Sequence, residues 1–325
     1  MPENEHHSSA AGAGALPVFP FFLGCARSGT TLFRAIFASH PDLAIPDETR
    51  YFSTMVNKGS EYERVTGFDS ERFIDDIFGH PAPPKWVEAG EVRRALASAP
   101  PASYADAVRL VYGLSAAKSG KTRYADKTPL NTLMIEALAE TFPEGRFVHI
   151  IRDGRDVALS LMDRRFGQGH IVEAARYWRR RVTLGRAAGK RIGPARYREV
   201  RYEALLENPE RTVRELCEFI ELPFEPAMLR YYDREEVFGP RPGTGRNPSE
   251  KFHLPPTKGL RDWRTQMSKK DMALFQVAAG DLLDELGYER ELHRMPLWAA
   301  VGARIRTTGI DARFAARRLR RKVRT

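Results

Sequence analysis

Cysteine is nearly absent. The 325-residue chain has two, Cys25 in an apolar run and Cys217 in a helical pattern. Two such residues build no disulfide framework, and no zinc-ligand spacing is present. That usage fits a reducing compartment, so a cytoplasmic location is expected. Long apolar runs are missing too. Pro17–Ala26 is too short and too broken by proline to span a bilayer. Residues 1–16 are acidic and lack an apolar signal core, so a disordered leader is expected there. The chain has no internal repeat. The eight histidines show no ligand spacing, and no metal is expected. His149, inside an apolar run, reads as a core histidine.

What is present is an ordinary globular composition, 42% hydrophobic and 29% charged. It excludes a mostly disordered chain, a fibre and a coiled coil, and leaves enough apolar material for a sizeable core. The net charge of +10 is unevenly placed. From Ala300 onward there are nine basic residues and one acid, so +8 of the charge sits in the last 26 residues. The expected division is a leader 1–16, one domain 17–295 and a basic tail 296–325. The high pI belongs to the tail and says little about the domain's ligand.

Along the domain, short apolar runs alternate with helical patterns. Val18–Gly24, Leu43–Ile45, Arg123–Ala125, Arg146–Ile151 and Tyr197–Val200 read as strands. Thr128–Thr141, the stretch from Asp153, Pro209–Ile220 and Asp271–Leu286 read as helices. Residues 50–119 carry weak helical patterns without a clear order. Residues 239–258 are rich in Gly and Pro and read as a long loop. The alternation predicts an α/β fold with a parallel central sheet flanked by helices. In such folds ligands bind beyond the carboxyl ends of the strands.

Those ends are charged. The first strand runs into Gly24-Cys25-Ala26-Arg27-Ser28-Gly29-Thr30-Thr31, a glycine loop that opens a helix. Backbone N–H groups in such a loop cradle an anion, and the helix dipole adds to it. The spacing mimics a nucleotide-triphosphate loop, with Thr30 where the lysine belongs and the positive charge moved to Arg27. The other ends carry Asp47-Glu48-Thr49-Arg50, Asp126-Lys127-Thr128-Pro129, Arg152-Asp153-Gly154-Arg155-Asp156 and Arg201-Tyr202-Glu203. Asp126 and Asp153 also suit helix caps, and Glu48 suits a helix N-terminus. Together Arg27, Lys127 and Arg152 predict a crevice for a polyanion. Arg152 and Ser160 are spaced by two helical turns, so they can grip one phosphate.

The glycine loop, the Arg152–Ser160 pair and Tyr202-Glu203-Ala204-Leu205-Leu206 resemble the sulfotransferases that use 3′-phosphoadenosine 5′-phosphosulfate, most of all the tyrosylprotein branch. The resemblance covers about residues 18–290. It implies that Arg27, Ser28, Gly29, Thr30 and Thr31 hold the 5′-phosphosulfate. Arg152 and Ser160 would hold the 3′-phosphate, with Arg164 as a further contact and Tyr202 beside the nucleotide. Glu48 would be the general base and Lys127 a transition-state lysine, with Arg27 sharing the catalytic charge. Lys258 and Gly259, in Thr257-Lys258-Gly259-Leu260-Arg261-Asp262-Trp263, would belong to a loop that closes over the donor. Arg261 stands where the family usually has glycine. The acceptor implied is a hydroxyl, whether of tyrosine, a sugar, a glycolipid or a metabolite. Residues 51–120 and 239–258 are expected to shape its pocket.

Two other classes stay open at this level. One is a phosphate-loop kinase, which Mg²⁺-dependent triphosphate binding would mark. The other is a non-catalytic nucleotide- or membrane-binding module. The basic tail suggests peripheral contact with an anionic membrane, or a solvated helix; nucleic acid is not the expected partner. Arg176, Arg179, Arg180 and Arg181, with Tyr177 and Trp178, suit a solvated helix face with a buried tryptophan, or else an acceptor-binding wall.

Overall fold

The apolar run near the start of the chain forms strand β1, Phe19–Gly24, with all six residues buried. In this computed structural model the described residues are 16–49, 55–163, 169–233, 262–292, 294 and 296–305. After β1 come helix α1 (Thr30–Ala38) and strand β2 (Leu43–Ala44). A small hairpin of β3 (Glu63–Arg64) and β4 (Gly67–Phe68) leads to helices α2 (Ser70–Gly79), α3 (Ala89–Ser98) and α4 (Tyr104–Lys118). Each of the three starts on a cap the sequence supplies: Asp69, the Glu88–Glu91 box and Ser103. They give an order to the stretch whose periodicity was too weak to read.

Strands β5 (Arg123–Tyr124) and β6 (Asp126–Lys127) are two halves of one extended segment. The expected helix over 128–141 is divided. Pro129–Leu133 forms a 3₁₀ turn, and helix α5 covers only Ile135–Thr141. Then follow β7 (Gly145–Ile151), α6 (Gly154–Met162), the 22-residue α7 (Ile171–Ile192) and β8 (Tyr197–Arg201). Helices α8 (Tyr202–Glu207), α9 (Pro209–Phe219), α10 (Trp263–Gln266) and α11 (Lys269–Glu285) follow, and residues 297–305 are again helical. The long loop read at 239–258 lies outside the described residues, as do 1–15 and 306–325.

All pairings in the main sheet are parallel, in the order β6-β1-β7-β8. The β5–β6 segment changes partner midway. Arg123 and Tyr124 pair with β2, whereas Asp126 and Lys127 pair with Phe21 and Phe22 of β1. This handover brings β2 to the flank of the sheet, and the carboxyl ends of β1, β2, β6, β7 and β8 point the same way. Pro20 is tolerated in a central strand because it lies before the stretch that β6 covers.

Alternation along β1 divides the core. Phe19, Phe21 and Leu23 pack against Tyr62, Phe73, Tyr112 and Phe142, while Phe22 packs against α1 and α9. A third cluster joins Cys25 and Ile151 to α6, α7 and α11 around Trp178, which is wholly buried. Full burial of each such side chain stabilises the fold by roughly 1.5–3 kcal/mol, and it anchors the sheet edge from which the polar loops emerge.

Candidate functional site

Helix α1 begins unlike its neighbours. Its N-cap, Gly29, has φ +91° and offers no side-chain bond, and the first turn holds no acid. Helices α2, α4, α6 and α11 all receive a capping side chain, and α5, α8 and α9, which lack one, carry an acid in the first turn. The Thr30 and Thr31 N–H groups that open α1 thus meet no capping side chain among the described residues, a geometry that suits an outside acceptor. Arg27 also has a positive φ, +74°, which folds the loop sharply over the strand end. Gly29 is obligatory for a second reason: a Cβ there would collide with the ring of Tyr202. The Ser28 hydroxyl oxygen is buried and has no hydrogen-bond partner among the described residues.

At the end of β7, Arg152 precedes the cap of α6 and is not on the helix, as the spacing had implied. Asp153 takes the N-cap, accepting from the Arg155 N–H at 2.9 Å. The Arg152 guanidinium lies over the Tyr202 ring at 4.5 Å and bonds Asp156 at 3.1 Å. Its Nε is buried without a partner among the described residues. Ser160, in the second half of α6, accepts from Arg27 Nε at 2.9 Å. The two predicted phosphate sites are therefore bridged, through a serine assigned to one and an arginine assigned to the other. Thr30 is buried at the first turn of α1, and Thr31 is half-buried beside it. Arg164, Lys258 and Gly259 lie outside the described residues.

Glu48 and Lys127 meet. Lys127 is buried at the end of β6 and donates to Glu48 Oε1, whose side chain is half exposed. Asp126 sits beneath them and is not a helix cap. It accepts from Tyr112 Oη at 2.7 Å, Thr128 Oγ1 at 3.0 Å and Asn131 Nδ2 at 2.6 Å. Burial pushes its carboxyl up to about 6, against the pull of those bonds and of Lys127. The Lys127 segment is thus clamped from behind.

Several contributors were not legible in the sequence. Arg155 is 1% exposed, forks onto Asp153 and stacks on Trp263 at 3.5 Å. Asp156 accepts the Trp263 N–H at 3.0 Å, and burial raises its carboxyl to about 6. Glu203 accepts from the Asp153 N–H at 2.9 Å and from the Tyr288 hydroxyl at 3.0 Å. With Arg152, Tyr202, Trp263 and Tyr288 these residues line a cavity of about 640 Å³ beside the β7 end. Trp263 carried a signal, since it closes the segment expected to lie over the donor. The Arg155–Trp263 stack had none.

Two other readings resolve toward structure. Trp178 is buried and donates its indole N–H to the Arg152 carbonyl at 3.1 Å. The His149 Nδ1 pairs with the Tyr197 hydroxyl at 2.6 Å, and burial pushes the imidazole down to about 3. Both cysteines are buried, which pushes their thiols up to about 12.

Comparison with known proteins gives a consistent picture. The sequence model of the sulfotransferase family matches residues 20–226. A protein-tyrosine sulfotransferase of Drosophila melanogaster is 27% identical over 218 residues, covering 65% of this chain and 39% of that protein. Protein-tyrosine sulfotransferase A of Caenorhabditis elegans is 25% identical over 226 residues, covering 68% and 53%. The chain thus spans about half or less of these relatives' lengths. In fold it is similar to the sulfotransferase domain from the Synechococcus PCC 7002 olefin synthase, at TM-score 0.56 and 20% identity, over 85% of this chain and 97% of that one. With the family match running through β1, β7 and β8 and across most of the domain, the chain belongs to the sulfotransferase family, near its tyrosylprotein branch.

Proposed function

We propose that the protein transfers a sulfuryl group from 3′-phosphoadenosine 5′-phosphosulfate to a hydroxyl acceptor, with Glu48 as the general base. The observation that carries this is a pair of buried donors without partners among the described residues, Ser28 Oγ and Arg152 Nε, at the ends of adjacent strands β1 and β7. A buried polar group left unsatisfied costs about 1–3 kcal/mol. Phosphate oxygens at both places would remove that cost. The uncapped start of α1 and the close Gly29–Tyr202 approach fit the same ligand.

Bound there, the nucleotide would supply SO₃ for in-line transfer and leave as the bisphosphate. Glu48 takes the proton that the acceptor hydroxyl loses as its new O–S bond forms. Positioned proton transfer of this kind is worth roughly 10²–10⁴-fold. Lys127, held by the β1–β6 register and clamped by Asp126, keeps positive charge at the strand ends where the leaving oxygen gains negative charge. Arg27 adds to it from the loop. In the free protein Lys127 and Glu48 neutralise one another. A negative group arriving at Lys127 competes for that ammonium and frees Glu48 to accept a proton. The half-exposed position of Glu48 suits an acceptor that enters from solvent. A tyrosine, a sugar, a glycolipid or a metabolite all meet that requirement.

Calorimetry with adenosine 3′,5′-bisphosphate, AMP and ATP, each with and without Mg²⁺, tests the donor. Metal-independent binding of the bisphosphate, about 10-fold or more tighter than AMP, is expected. Preference for Mg²⁺–ATP would move the protein to the phosphate-loop kinases.

A further inference from the structure

We propose that residues 297–305, with the cations that flank them, form a docking face for an anionic lipid surface. These nine residues are helical. One side of the helix is buried against the body through Ala299 and Ala303, and Gly302 faces Leu274 of α11. The other side turns large apolar side chains outward. Leu297 is 85% exposed, Trp298 50%, Val301 57% and Ile305 69%. Leu297, Val301 and Ile305 recur at four-residue intervals, and Trp298 lies one position from that line, so the four form one strip. Single exposed apolar residues are normal on a surface; four on one face of a nine-residue helix mark an interaction site.

Positive charge lies on both flanks. On one, Arg176, Arg179, Arg180 and Arg304 line an open groove of about 820 Å³ between the 297–305 helix, α7 and α11. Arg179 also pairs with Asp281 there. On the other, Lys269 and Lys270 border an apolar recess that Trp298 helps to line. The sequence beyond Ile305 adds eight basic residues and one acid. That charge decides the occupant. The chain's own tail is repelled by cations of its own sign, and a second copy would set arginines and lysines against their equivalents. Nucleic acid answers the charge but offers nothing to Leu297, Val301 and Ile305. A membrane with anionic headgroups answers both, taking the strip into the acyl boundary and the cations to its phosphates. Among the described residues no helix is long and apolar enough to cross a membrane, so the contact is peripheral. Arg176, Arg179 and Arg180 share α7 with Trp178, whose indole supports Arg152, so one helix links the face to the strand-end site.

The inference does not rest on the sulfuryl-transfer reading, and its test uses no activity. The full chain is sedimented with phosphatidylcholine vesicles, with and without phosphatidylglycerol, across a salt series. Binding is expected only to the anionic vesicles, and to weaken as salt rises. The triple variant L297S/V301S/I305S should bind about 10-fold or more weakly, with its circular dichroism unchanged. As a second readout, a polarity-sensitive fluorophore is placed at Val301→Cys, both native cysteines being buried. Its emission should shift to the blue on anionic vesicles. Wild-type-like binding of the triple variant, an unshifted fluorophore, or no binding by the full chain would each overturn the proposal. Retention on duplex DNA with vesicle binding indifferent to the apolar substitutions would assign the surface to nucleic acid instead.

Discussion

Replacing Arg152 by glutamine should separate recognition of a 3′-phosphate from recognition of the rest of the nucleotide. The guanidinium is held over Tyr202 and against Asp156, and its buried Nε has no partner among the described residues. A hydrogen bond to a charged group contributes about 1.5–3 kcal/mol. Charge and fork geometry add to this, and the glutamine amide recovers a part. The net loss expected for adenosine 3′,5′-bisphosphate is about 3 kcal/mol, or roughly 10²-fold in Kd. AMP lacks the 3′-phosphate, so its affinity should change by less than about 3-fold. Asp156 complicates the reading. Burial has raised its carboxyl to about 6 and Arg152 pulls it back down, so the variant leaves an acid beside an incoming phosphate. The double variant R152Q/D156N removes that repulsion. It should recover part of the bisphosphate affinity while keeping the loss of discrimination. Calorimetry at pH 8 on the three proteins and two ligands suffices. Equal losses for the two nucleotides, or a double variant with wild-type discrimination, would refute the assignment.

Glu48→Gln should lower turnover by about 10²–10⁴-fold and leave bisphosphate affinity within a factor of about 3; normal turnover would show that another group takes the proton. Gly29→Ala places a Cβ in the Tyr202 ring at a φ of +91°, where an L-residue is strained by roughly 1–3 kcal/mol. Calorimetry should show weakened nucleotide binding, and an alanine variant that binds normally would mean the loop does not close on Tyr202 as described. Asp126 and Asp156 both bind their protons more tightly folded than unfolded, with carboxyls raised from 3.8 to about 6. Their protonated forms favour the fold, and that contribution is lost as pH rises from about 4 through about 6. Urea unfolding should show a shallower fall over that window in Asp126→Asn than in the wild type, and identical slopes would mean Asp126 titrates normally.

The parts of the site that could be read without a structure are those encoded within about ten residues. VFPFFLG and RFVHII are apolar runs bounded by glycine or charge, and they appear as β1 and β7. The glycine loop and Arg152 follow directly from them. Local errors had local causes. Pro129 starts a 3₁₀ turn and Met134 breaks the pattern, so one expected helix is two elements. Arg152 and Ser160 have helical spacing, but Asp153 caps the helix between them.

The sequence by itself determined the alternation of strands and helices, the glycine loop that joins β1 to α1, and the charged residues that follow the strands. Local period and glycine placement dictate these, because backbone sterics and the burial of one face act over a few neighbours. Only the tertiary structure decided which of those residues meet. Lys127 reaches Glu48 because the β5–β6 segment changes partner from β2 to β1. Arg27 takes Ser160, 133 residues away, and Arg155 takes Trp263. Those partners follow from the parallel register and from helix packing across the sheet. Both are set by the shape of the whole core and leave no trace in the spacing of any one segment.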